Sequence, residues 1–438
     1  VKPGTWKIRE VGSSPWLNSY PTAFDSNGRY HSVTVVSQGS YPNTDFGNFK
    51  SATINGVKFE DLDADGAARE GGEPGLGGWV IWVDYDNDNV YDPTGPGAEP
   101  SATTAADGSY SITGVAPGTW QLREDLGAHT GWKNSNPGTS GAQSVTVVSD
   151  QTLNNANFGN WYPASLSGRK FNDLDADGVK DAGEANAGLS GWRIYVDYDN
   201  DGSWDNPVEP SAVTDANGDY TITDITPGSY FVREVAQGGW TVSYPAAGNY
   251  NIAFVSRDTL TGRDFGNWTT ASVSGTKFED KDADGAAQEV GEGGLSGWQI
   301  YVDYDNDNSF DVGEPTATTN GTGAYTITGV TPGTYNVREV GQGGWTNSYP
   351  AGGNNNVTFE SNGTYTGKDF GNWTTASVTG KVFEDLDGDG SNIEVGEPGL
   401  ATWTVWVDYD DDGIQDGGEP SAISNGSGDY SISGVNPG

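Results

Sequence analysis

Five carboxylates lie within the twelve residues 303–314, which read DYDNDNSFDVGE. They occupy relative positions 1, 3, 5, 9 and 12 of the segment, and no lysine or arginine lies between them. Like charges at this density repel one another unless something neutralises them. The spacing is that of the oxygen ligands in an EF-hand loop. The segment is therefore predicted to bind a hard divalent cation, with Ca²⁺ favoured over Mg²⁺ because Ca²⁺ tolerates irregular coordination.

The segment differs from an EF-hand loop at position 6 and in its flanks. Position 6 is usually glycine, because the chain turns sharply there, but here it is Asn308. Asparagine also tolerates left-handed dihedral angles. The preceding GWQIYV is an apolar run of strand-forming residues, and no amphipathic helix is evident on either side. The pattern indicates a cation loop between β-strands, while a lone copy could equally be a solvated acidic turn.

The same charge pattern occurs eight times, in two series. In the first series only 172–184 matches the full spacing, with Glu184 at position 12. The other three copies place the closing glutamate one residue later and lack the aspartate at position 9, so their coordination is expected to differ. In the second series the copy at 197–209 is one residue longer, and the copy at 84–99 contains an inserted TGPG. Eight copies favour cation binding over a solvated turn.

We predict up to two Ca²⁺ ions per full repeat. The predicted ligands of the first series are Asp61, Asp63, Asp65, Glu73, Asp173, Asp175, Asp177, Asp181, Glu184, Asp280, Asp282, Asp284, Glu292, Asp385, Asp387, Asp389 and Glu397. Those of the second series are Asp84, Asp86, Asp88, Asp92, Glu99, Asp197, Asp199, Asp201, Asp205, Glu209, Asp303, Asp305, Asp307, Asp311, Glu314, Asp408, Asp410, Asp412, Asp416 and Glu419.

The loops belong to a longer repeat that defines the domain organisation. A motif of the form K-F-[EN]-D-x-D recurs with its phenylalanine at Phe59, Phe171 and Phe278, and a variant recurs at Phe383, just over one hundred residues apart. The spacing predicts three full repeats at 50–161, 162–268 and 269–373. Residues 1–49 match the C-terminal half of a repeat and 374–438 the N-terminal half. Each half is expected to need a neighbour to bury its apolar faces.

Within a repeat the pattern is that of short β-strands. In GTYNVREV, Tyr335, Val337 and Glu339 alternate with Asn336 and Arg338. The pair Asn217-Gly218 indicates a hairpin turn. About seven short strands per repeat predict an all-β chain, a tandem array of seven-stranded, Ig-like or prealbumin-like β-sandwiches.

Composition narrows the function. The chain of 438 residues has a net charge of −40, no cysteine and two histidines, His31 and His129. This excludes thiol chemistry and Cys-based metal sites, disfavours nucleic acid, and leaves little for acid–base catalysis. No apolar run is long enough to span a membrane. No catalytic constellation stands out, so the protein is not expected to be an enzyme.

The motifs KFEDKDADG (277–285), GLSGWQIYVDYDNDN (294–308), GAYTITGVTPGTYNVREV (323–340) and KDFGNW (368–373) support a family assignment. With them the chain resembles the calcium-binding B-repeats of serine-aspartate-repeat bacterial surface adhesins, and the wider collagen-adhesin B-type, prealbumin-like domains. The resemblance covers essentially the whole chain. It implies a seven-stranded β-sandwich, Ca²⁺ in the acidic loops, and a stalk or spacer role outside a prokaryotic cell.

Some relatives implied by this resemblance form a Lys–Asn isopeptide bond assisted by an acidic residue. The corresponding residues here are Lys277, Asn372 and Glu339. In the fourth copy the lysine is one place earlier, at Lys381, which puts it on the other face of a strand. The second copy has Arg169 before Lys170. The bond is therefore not expected from the sequence.

Two functions remain open. The first is a structural component of an extracellular stalk, fibre or filament, whose partners are copies of itself or further repeats of a longer chain, with possible head-to-tail completion of the split terminal repeats. The second is a cell-surface adhesin that binds glycan or host protein. Possible N-linked sequons, six in number, make glycans a further candidate partner.

Overall fold

The structure is a computed structural model that describes all residues from 1 to 438. It consists of β-strands joined by turns, and its one helical segment is the short 3-10 helix Ala182–Asn186. A membrane-crossing helix, which would have to be long and apolar, does not occur in the chain. The predicted all-β class is confirmed.

The chain forms two compact units. The first contains residues 1–169, 190–235 and 249–264, and the second contains 170–189, 236–248 and 265–438. The division passes through the predicted repeat at 162–268. The first unit therefore holds residues 1–49, the repeat at 50–161 and part of the next repeat. The second unit holds the remainder of that repeat, the repeat at 269–373 and residues 374–438.

The strands in the first 161 residues are β1 Gly4–Ile8, β2 Leu17–Tyr20, β3 Phe24–Asp25, β4 Gly28–Arg29, β5 His31–Val35, β6 Gly47–Phe49, β7 Ala52–Glu60, β8 Val80–Asp84, β9 Ser101–Thr103, β10 Ser109–Val115, β11 Gly118–Asp125, β12 Lys133–Asn136, β13 Ala142–Val147, β14 Thr152–Leu153 and β15 Phe158–Trp161. Those at 162–268 are β16 Ala164–Asn172, β17 Arg193–Asp197, β18 Ser211–Val213, β19 Asp219–Ile225, β20 Gly228–Glu234, β21 Thr241–Tyr244, β22 Asn249–Phe254, β23 Thr259–Leu260 and β24 Phe265–Trp268. The last are β25 Ala271–Glu279, β26 Gln299–Asp303, β27 Thr316–Thr318, β28 Ala324–Val330, β29 Gly333–Glu339, β30 Trp345–Tyr349, β31 Asn354–Phe359, β32 Thr364–Tyr365, β33 Phe370–Thr374, β34 Ala376–Lys381, β35 Thr404–Trp406, β36 Ser421–Ile423 and β37 Asp429–Val435.

The repeat at 50–161 is a sandwich of two sheets. One sheet has the order β10-β7-β15-β12, with β14 also on β7, and the other has the order β13-β11-β8-β9. The first strand, β7, lies antiparallel to β10 and parallel to the last strand, β15. Both sheets contribute to one core, in which Ile54, Val83, Leu122 and Phe158 are fully buried. The first and last strands of the repeat are therefore direct neighbours.

The repeat at 269–373 has the same topology, with the orders β28-β25-β33-β30 and β27-β26-β29-β31. In β29, Val337 is buried in the core and Arg338 points away from it toward an acidic loop. This matches the alternation expected from the sequence. In the repeat at 162–268, the corresponding pairs are again antiparallel β16–β19 and parallel β16–β24.

Each full repeat has seven strands of four or more residues and two shorter ones, β9 and β14 in the first copy. The predicted count omitted the two short strands, which are too brief to show a periodic pattern. The hairpin predicted at Asn217-Gly218 is wrong in part. A tight turn forms, because the main-chain N–H of Asp215 donates to the carbonyl of Asp219 at 3.0 Å. The flanking strands β18 and β19, however, pair with β17 and β16.

Residues 1–49 and 374–438 form only two-stranded sheets, β1-β5, β2-β6, β3-β4, β34-β37 and β35-β36. Large apolar side chains stay exposed there, including Trp6, Phe24 and Trp403. That these residues are halves of repeats completed by a neighbour stays a prediction.

Candidate metal centre

In the three full repeats each acidic loop begins at or just after the end of a strand, which fixes its first aspartate. Asp61 follows β7 and Asp303 ends β26, and both side chains are almost completely buried. In all eight loops the Oδ2 atom of this aspartate accepts the main-chain N–H of position 6, at 2.9–3.3 Å. The first ligand therefore also closes the turn.

The turn itself needs left-handed backbone at positions 4 and 6. In the loop at 303–314 these positions are Asn306, with φ of 59°, and Asn308, with φ of 68°. The expectation that asparagine replaces glycine at position 6 by adopting this conformation is confirmed. In the loop that starts at Asp61, position 4 is Ala64, with φ of 58°. An alanine in this region is strained, since its Cβ approaches the following carbonyl oxygen.

The glutamate that closes each loop makes the same two hydrogen bonds in all eight copies. Glu184 Oε1 accepts the N–H of Leu174 at 2.6 Å, and its Oε2 accepts the N–H of Asp181 at 3.0 Å. Each oxygen retains a lone pair for a cation. The corresponding bonds are made by Glu73, Glu99, Glu209, Glu292, Glu314, Glu397 and Glu419.

The expected change of coordination in the longer loops does not extend to this glutamate. Glu73 lies one position later in its loop than Glu184 does in its own. It accepts the N–H groups of Leu62 and Glu70 at 3.2 and 2.7 Å. The extra residue lies between the aspartates and the glutamate, and the carboxylate makes the same two hydrogen bonds as in the shorter loop. The missing aspartate at position 9 is the difference that remains.

Carboxylates converge in the loops that start at Asp61, Asp84 and Asp173. Asp61, Asp63 and Asp65 each bring one oxygen within 4.8 Å of the others, and a second group of this kind joins Asp84, Asp86 and Glu99. The groups at 173–184 include Asp173, Asp175 and Glu184, and Asp175, Asp177 and Asp181. The spacing in the sequence thus predicted which oxygens come together.

A buried oxygen without a partner marks five of the eight loops. The Oδ1 atom of the first aspartate is buried and accepts no hydrogen bond in Asp61, Asp173, Asp197, Asp280 and Asp303. Leaving a buried acceptor of this kind unsatisfied costs about 1–3 kcal/mol, and more when it carries charge. A divalent cation within the loop would satisfy it. The residues present therefore fit a hard cation with oxygen ligands.

Burial also weakens the acidity of the carboxyl groups that close the loops. It raises the pKa of Glu73, Glu99 and Glu184, and neighbouring aspartates add to the effect in each case. A carboxyl group with a raised pKa holds a proton at higher pH. Protons and a cation would therefore compete for these oxygens.

In three loops of the second series an arginine offsets part of the negative charge. This pairing was not predicted from the sequence. Arg123, Arg233 and Arg338 each place Nε at 2.6–2.7 Å from Oδ2 of the first aspartate, in Asp84, Asp197 and Asp303 respectively. The signal was available, because each arginine is the R of the R-E pair whose strand lies beside the loop strand. The two series therefore differ in local charge.

A serine that lies beside three loops of the first series was also not predicted from the sequence. The hydroxyl oxygens of Ser135, Ser243 and Ser348 are buried without a hydrogen-bond partner. Each serine lies against its loop, since a Cβ built on the position-6 glycine would come within 3.1–3.3 Å of the serine carbonyl oxygen. The recurring S-x-P sequence at these positions was the available signal.

The first loop of one repeat contacts the next repeat. Within the first unit, Ser256 donates its main-chain N–H to the carbonyl of Leu62 at 2.8 Å, and its hydroxyl donates to Glu60 Oε1 at 2.6 Å. Within the second unit, Ser361 donates its N–H to the carbonyl of Leu174, again at 2.8 Å. Leu62 and Leu174 are the second residues of their loops, so the loops are parts of the junctions.

The fold and loops together define the class: a tandem β-sandwich protein in which each full sandwich carries two acidic, EF-hand-like loops. Residues 164–262 match the family model of the SdrD B-like domain. The predicted resemblance to the B-repeats of serine-aspartate-repeat adhesins is thus confirmed.

Curated relatives share this region. The chain is 27% identical over 216 residues to serine-aspartate repeat-containing protein D of Staphylococcus aureus strain Newman, across 47% of this chain and 15% of that protein. The counterpart from strain MSSA476 has the same identity and covers 14% of its own length. The chain therefore spans a small fraction of the relatives that it matches.

Two solved structures align with much of the chain at low sequence identity. The TIE protein of Bacillus anthracis covers 80% of this chain and 57% of its own at 14% identity, with a TM-score of 0.32. BcpA, the major pilin subunit of Bacillus cereus, covers 74% of this chain and 100% of its own at 12% identity, with a TM-score of 0.32.

Proposed function

We propose that the acidic loops bind Ca²⁺ and that the chain is a calcium-stabilised spacer in a surface-exposed bacterial protein. The observation that supports this most strongly is the buried, unpartnered Oδ1 atom at the start of five loops. An acidic surface turn could keep all its oxygens in water. These oxygens are out of water and accept no hydrogen bond within the chain, although the Ser348 hydroxyl lies near the carboxylate of Asp280.

The ion would be bound by the oxygens already in place. In the loop at 173–184, Asp173, Asp175, Asp177, Asp181 and Glu184 would hold it. Bound Ca²⁺ supplies positive charge and additional oxygen coordination. The chain supplies the fixed geometry, because Asp173 and Glu184 are each held by N–H donors of the loop itself.

Net charge supports the same proposal. The chain carries −40 at neutral pH, and eight divalent ions would bring sixteen positive charges. In the first series no arginine pairs with the first aspartate, whereas Arg338 and its two counterparts already offset part of the charge in the second. We infer that the first series depends more strongly on the cation.

Cation binding would also stabilise the junctions between repeats. The carbonyl of Leu62 accepts the N–H of Ser256 in the next repeat, and Leu62 stands between Asp61 and Asp63. An ion on these two aspartates restricts the main chain of Leu62. A spacer function benefits directly, because each junction then keeps its hydrogen bonds only while the loop is ordered.

The proposal includes a location at the cell surface and a place for this chain within a longer protein. Support comes from the SdrD B-like match and from the relatives, of which this chain resembles a limited part. A spacer role fits repeats that are alike in sequence and in fold. Completion of residues 1–49 and 374–438 by further copies of the repeat stays a prediction.

Metal content tests the proposal. The chain is brought to equilibrium by dialysis against buffer of known Ca²⁺ concentration, and the excess of calcium on the protein side is measured by elemental analysis. We expect several ions per chain and up to eight, with little replacement by Mg²⁺ at equal concentration. Less than one bound ion per chain would contradict the proposal.

A further inference from the structure

The junction between the repeats at 50–161 and 162–268 contains a cleft with a volume of about 620 Å³. The cleft lies wholly within the first unit and is open to solvent. Its volume is in the range of ligand-binding clefts. The charged and aromatic side chains that line it are Trp132 and Lys133 from the first of these repeats and Tyr162, Asp224 and Arg257 from the second. None of the five belongs to an acidic loop.

Four of these residues depart from the repeating pattern. At the next junction their equivalents are neither charged nor aromatic, although the surrounding sequence is similar. Those equivalents are Thr241 for Lys133, Thr269 for Tyr162, Gly329 for Asp224 and Asn362 for Arg257. A spacer function requires none of these differences, and all four lie at one cleft.

Two of the four residues adopt left-handed backbone. Asp224 has φ of 60° and Arg257 has φ of 69°. This region costs a residue with a Cβ more than it costs glycine, and arginine lacks the short side chain by which asparagine compensates. The next junction has the same backbone geometry with better suited residues, since Gly329 has φ of 79° and Asn362 has φ of 64°. The charged side chains are therefore kept at a conformational cost, and such costs cluster at functional sites.

The Arg257 guanidinium is held on one side and open on the other. Its Cζ lies 4.4 Å from the ring centre of Trp132, and its Nε lies 3.5 Å from Oε1 of Glu60. The main-chain N–H of Arg257 donates to the carbonyl of Tyr162 at 3.1 Å, which fixes the two residues side by side. The Nη groups have no partner within the chain, and the side chain is 55% exposed. A guanidinium oriented in this way can bind a carboxylate with two parallel hydrogen bonds.

The other charged groups of the cleft also lack strong partners. Lys133 places its ammonium group over the ring of Trp161, with Nζ 5.3 Å from the ring centre, and forms no ion pair. The carboxylate of Asp224 accepts only a long hydrogen bond, of 3.5 Å, from the hydroxyl of Thr223. Neither Lys133 nor Arg257 forms an ion pair with Asp224, although all three line the same cleft. Opposite charges that stay apart leave both signs of charge available to a ligand.

Aromatic rings supply the apolar surface of the cleft. Tyr162 is 38% exposed, and its hydroxyl makes no hydrogen bond within the chain. Its ring centre lies 5.7 Å from that of Trp132, with the ring planes at 76°. A neighbouring cleft of about 590 Å³ shares Trp132 and Lys133 and adds Trp161 to its lining. Flat rings with polar groups between them, continued from one cleft into the next, fit an elongated ligand.

We propose that this cleft binds an acidic oligosaccharide, a chain of sugar rings that carry carboxylate groups. The Nη groups of Arg257 bind a sugar carboxylate, and Lys133 adds a second positive charge. The C–H face of a sugar ring packs on the exposed ring of Tyr162. Sugar hydroxyl groups donate to the carboxylate of Asp224. The chain then has a binding function in addition to its role as a spacer.

Charge and shape favour this ligand over a neutral sugar or a peptide. The chain has 61 acidic and 21 basic residues, whereas the lining of the cleft has two basic residues and one acidic residue. An anion is therefore attracted to the cleft and repelled by most of the remaining surface. A peptide usually anchors a large side chain in a desolvated pocket, and this open cleft has none.

Ligand-observed NMR with the full chain tests the proposal. The probe is the tetrasaccharide of hyaluronan, in which every second ring carries a carboxylate. Chitotetraose, a neutral chain of the same length, and a tetraglutamate peptide are the comparison ligands. The buffer contains Ca²⁺ and about 0.15 M salt, at which exposed charges more than about 8 Å apart are largely screened. We expect the hyaluronan tetrasaccharide to bind about tenfold more tightly than either comparison ligand. No binding of this probe, or equal binding of chitotetraose or tetraglutamate, would overturn the proposal.

Variants that copy the next junction locate the site. Arg257→Asn and Tyr162→Thr introduce the residues that the next junction has at these positions, so both chains should keep the circular dichroism spectrum of the original. Each should bind the hyaluronan tetrasaccharide about tenfold more weakly. Lys368→Ala is the control, because it removes a positive charge outside the cleft where the first repeat has Ala156. Unchanged affinity in Arg257→Asn and Tyr162→Thr, or an equal loss in Lys368→Ala, would overturn the proposal.

Discussion

Ser256 and Leu62 belong to consecutive repeats and share a main-chain hydrogen bond of 2.8 Å. Leu62 lies between two aspartates of an acidic loop, and Ser256 lies in the turn between β22 and β23 of the following repeat. Ser361 and Leu174 repeat the arrangement. The junctions are therefore made by the loops themselves and by the turns that rest on them.

Removal of the Ser256 hydroxyl should weaken this junction. The hydroxyl donates to Glu60 Oε1 at 2.6 Å and accepts the N–H of Tyr162 at 2.9 Å, and the residue is buried. Ser256→Ala removes both hydrogen bonds and leaves Glu60 Oε1 with Arg257 Nε at 3.5 Å, so we expect a loss of about 1–3 kcal/mol in the free energy of unfolding. Denaturant titration measures it. The exposed Ser140→Ala is the matched control, and an equal effect in both variants would refute the role of the junction.

The first aspartate of a loop should be indispensable for its ion. In Asp303→Asn the loop loses a charge, and Arg338 loses its carboxylate partner. We expect calorimetric titration with Ca²⁺ to show one fewer site. The exposed Asp219→Asn, outside every loop, should keep the original number. Loss of no site in Asp303→Asn would count against this residue as a ligand.

The strained alanines offer a gain in stability. Ala283 at position 4 of its loop has φ of 58°, a conformation that costs a residue with Cβ about 1–2 kcal/mol. The conformational cost is smaller for asparagine, since its side chain hydrogen-bonds locally. Ala283→Asn should raise the free energy of unfolding by about 0.5–1 kcal/mol. Ala287→Asn, nearby and at an ordinary dihedral, is the control, and the prediction fails if both respond alike.

The buried lysines should make stability depend on pH. Burial lowers the pKa of Lys277 to about 8 in the folded chain, against an ordinary 10.5. Between these values the unfolded chain binds more protons, so the free energy of unfolding should rise from pH 8 to 10.5. Denaturant titration at the two pH values measures this rise. It should be smaller in Lys277→Met, which has no amine at this position, and an equal rise in both proteins would contradict the prediction.

The repeating pattern was sufficient to predict the fold class and the positions of the acidic loops. Alternation in GTYNVREV correctly put Val337 in the core and Arg338 outside it, because side chains on a strand alternate between faces. The aspartate spacing correctly placed Asp61, Asp63 and Asp65 together, because such short segments leave the turn little freedom.

Contacts between distant parts of the chain could not be predicted from local patterns, and only the family resemblance suggested that Lys277, Asn372 and Glu339 belong together. Arg123 reaches Asp84 because β11 lies beside β8, and Lys58 reaches Asn160 because β7 lies parallel to β15. Such pairings depend on the order of strands in the sheets, which local pattern does not fix. The hairpin predicted at Asn217-Gly218 was wrong in part for the same reason, because the strands on either side of the turn pair with other strands and not with each other. A local signal specifies the turn and not the pairing.

The most direct test of the account is thermal unfolding of the full chain with Ca²⁺ and with excess chelator, followed by circular dichroism. At about 2 mM Ca²⁺ and a dissociation constant of about 10⁻⁴ M, each site would contribute about 1.8 kcal/mol. Two sites per repeat then predict a fall in the midpoint on the order of 15 °C when calcium is removed. Coincident unfolding curves in the two solutions would show that the acidic loops need no cation and would contradict the account.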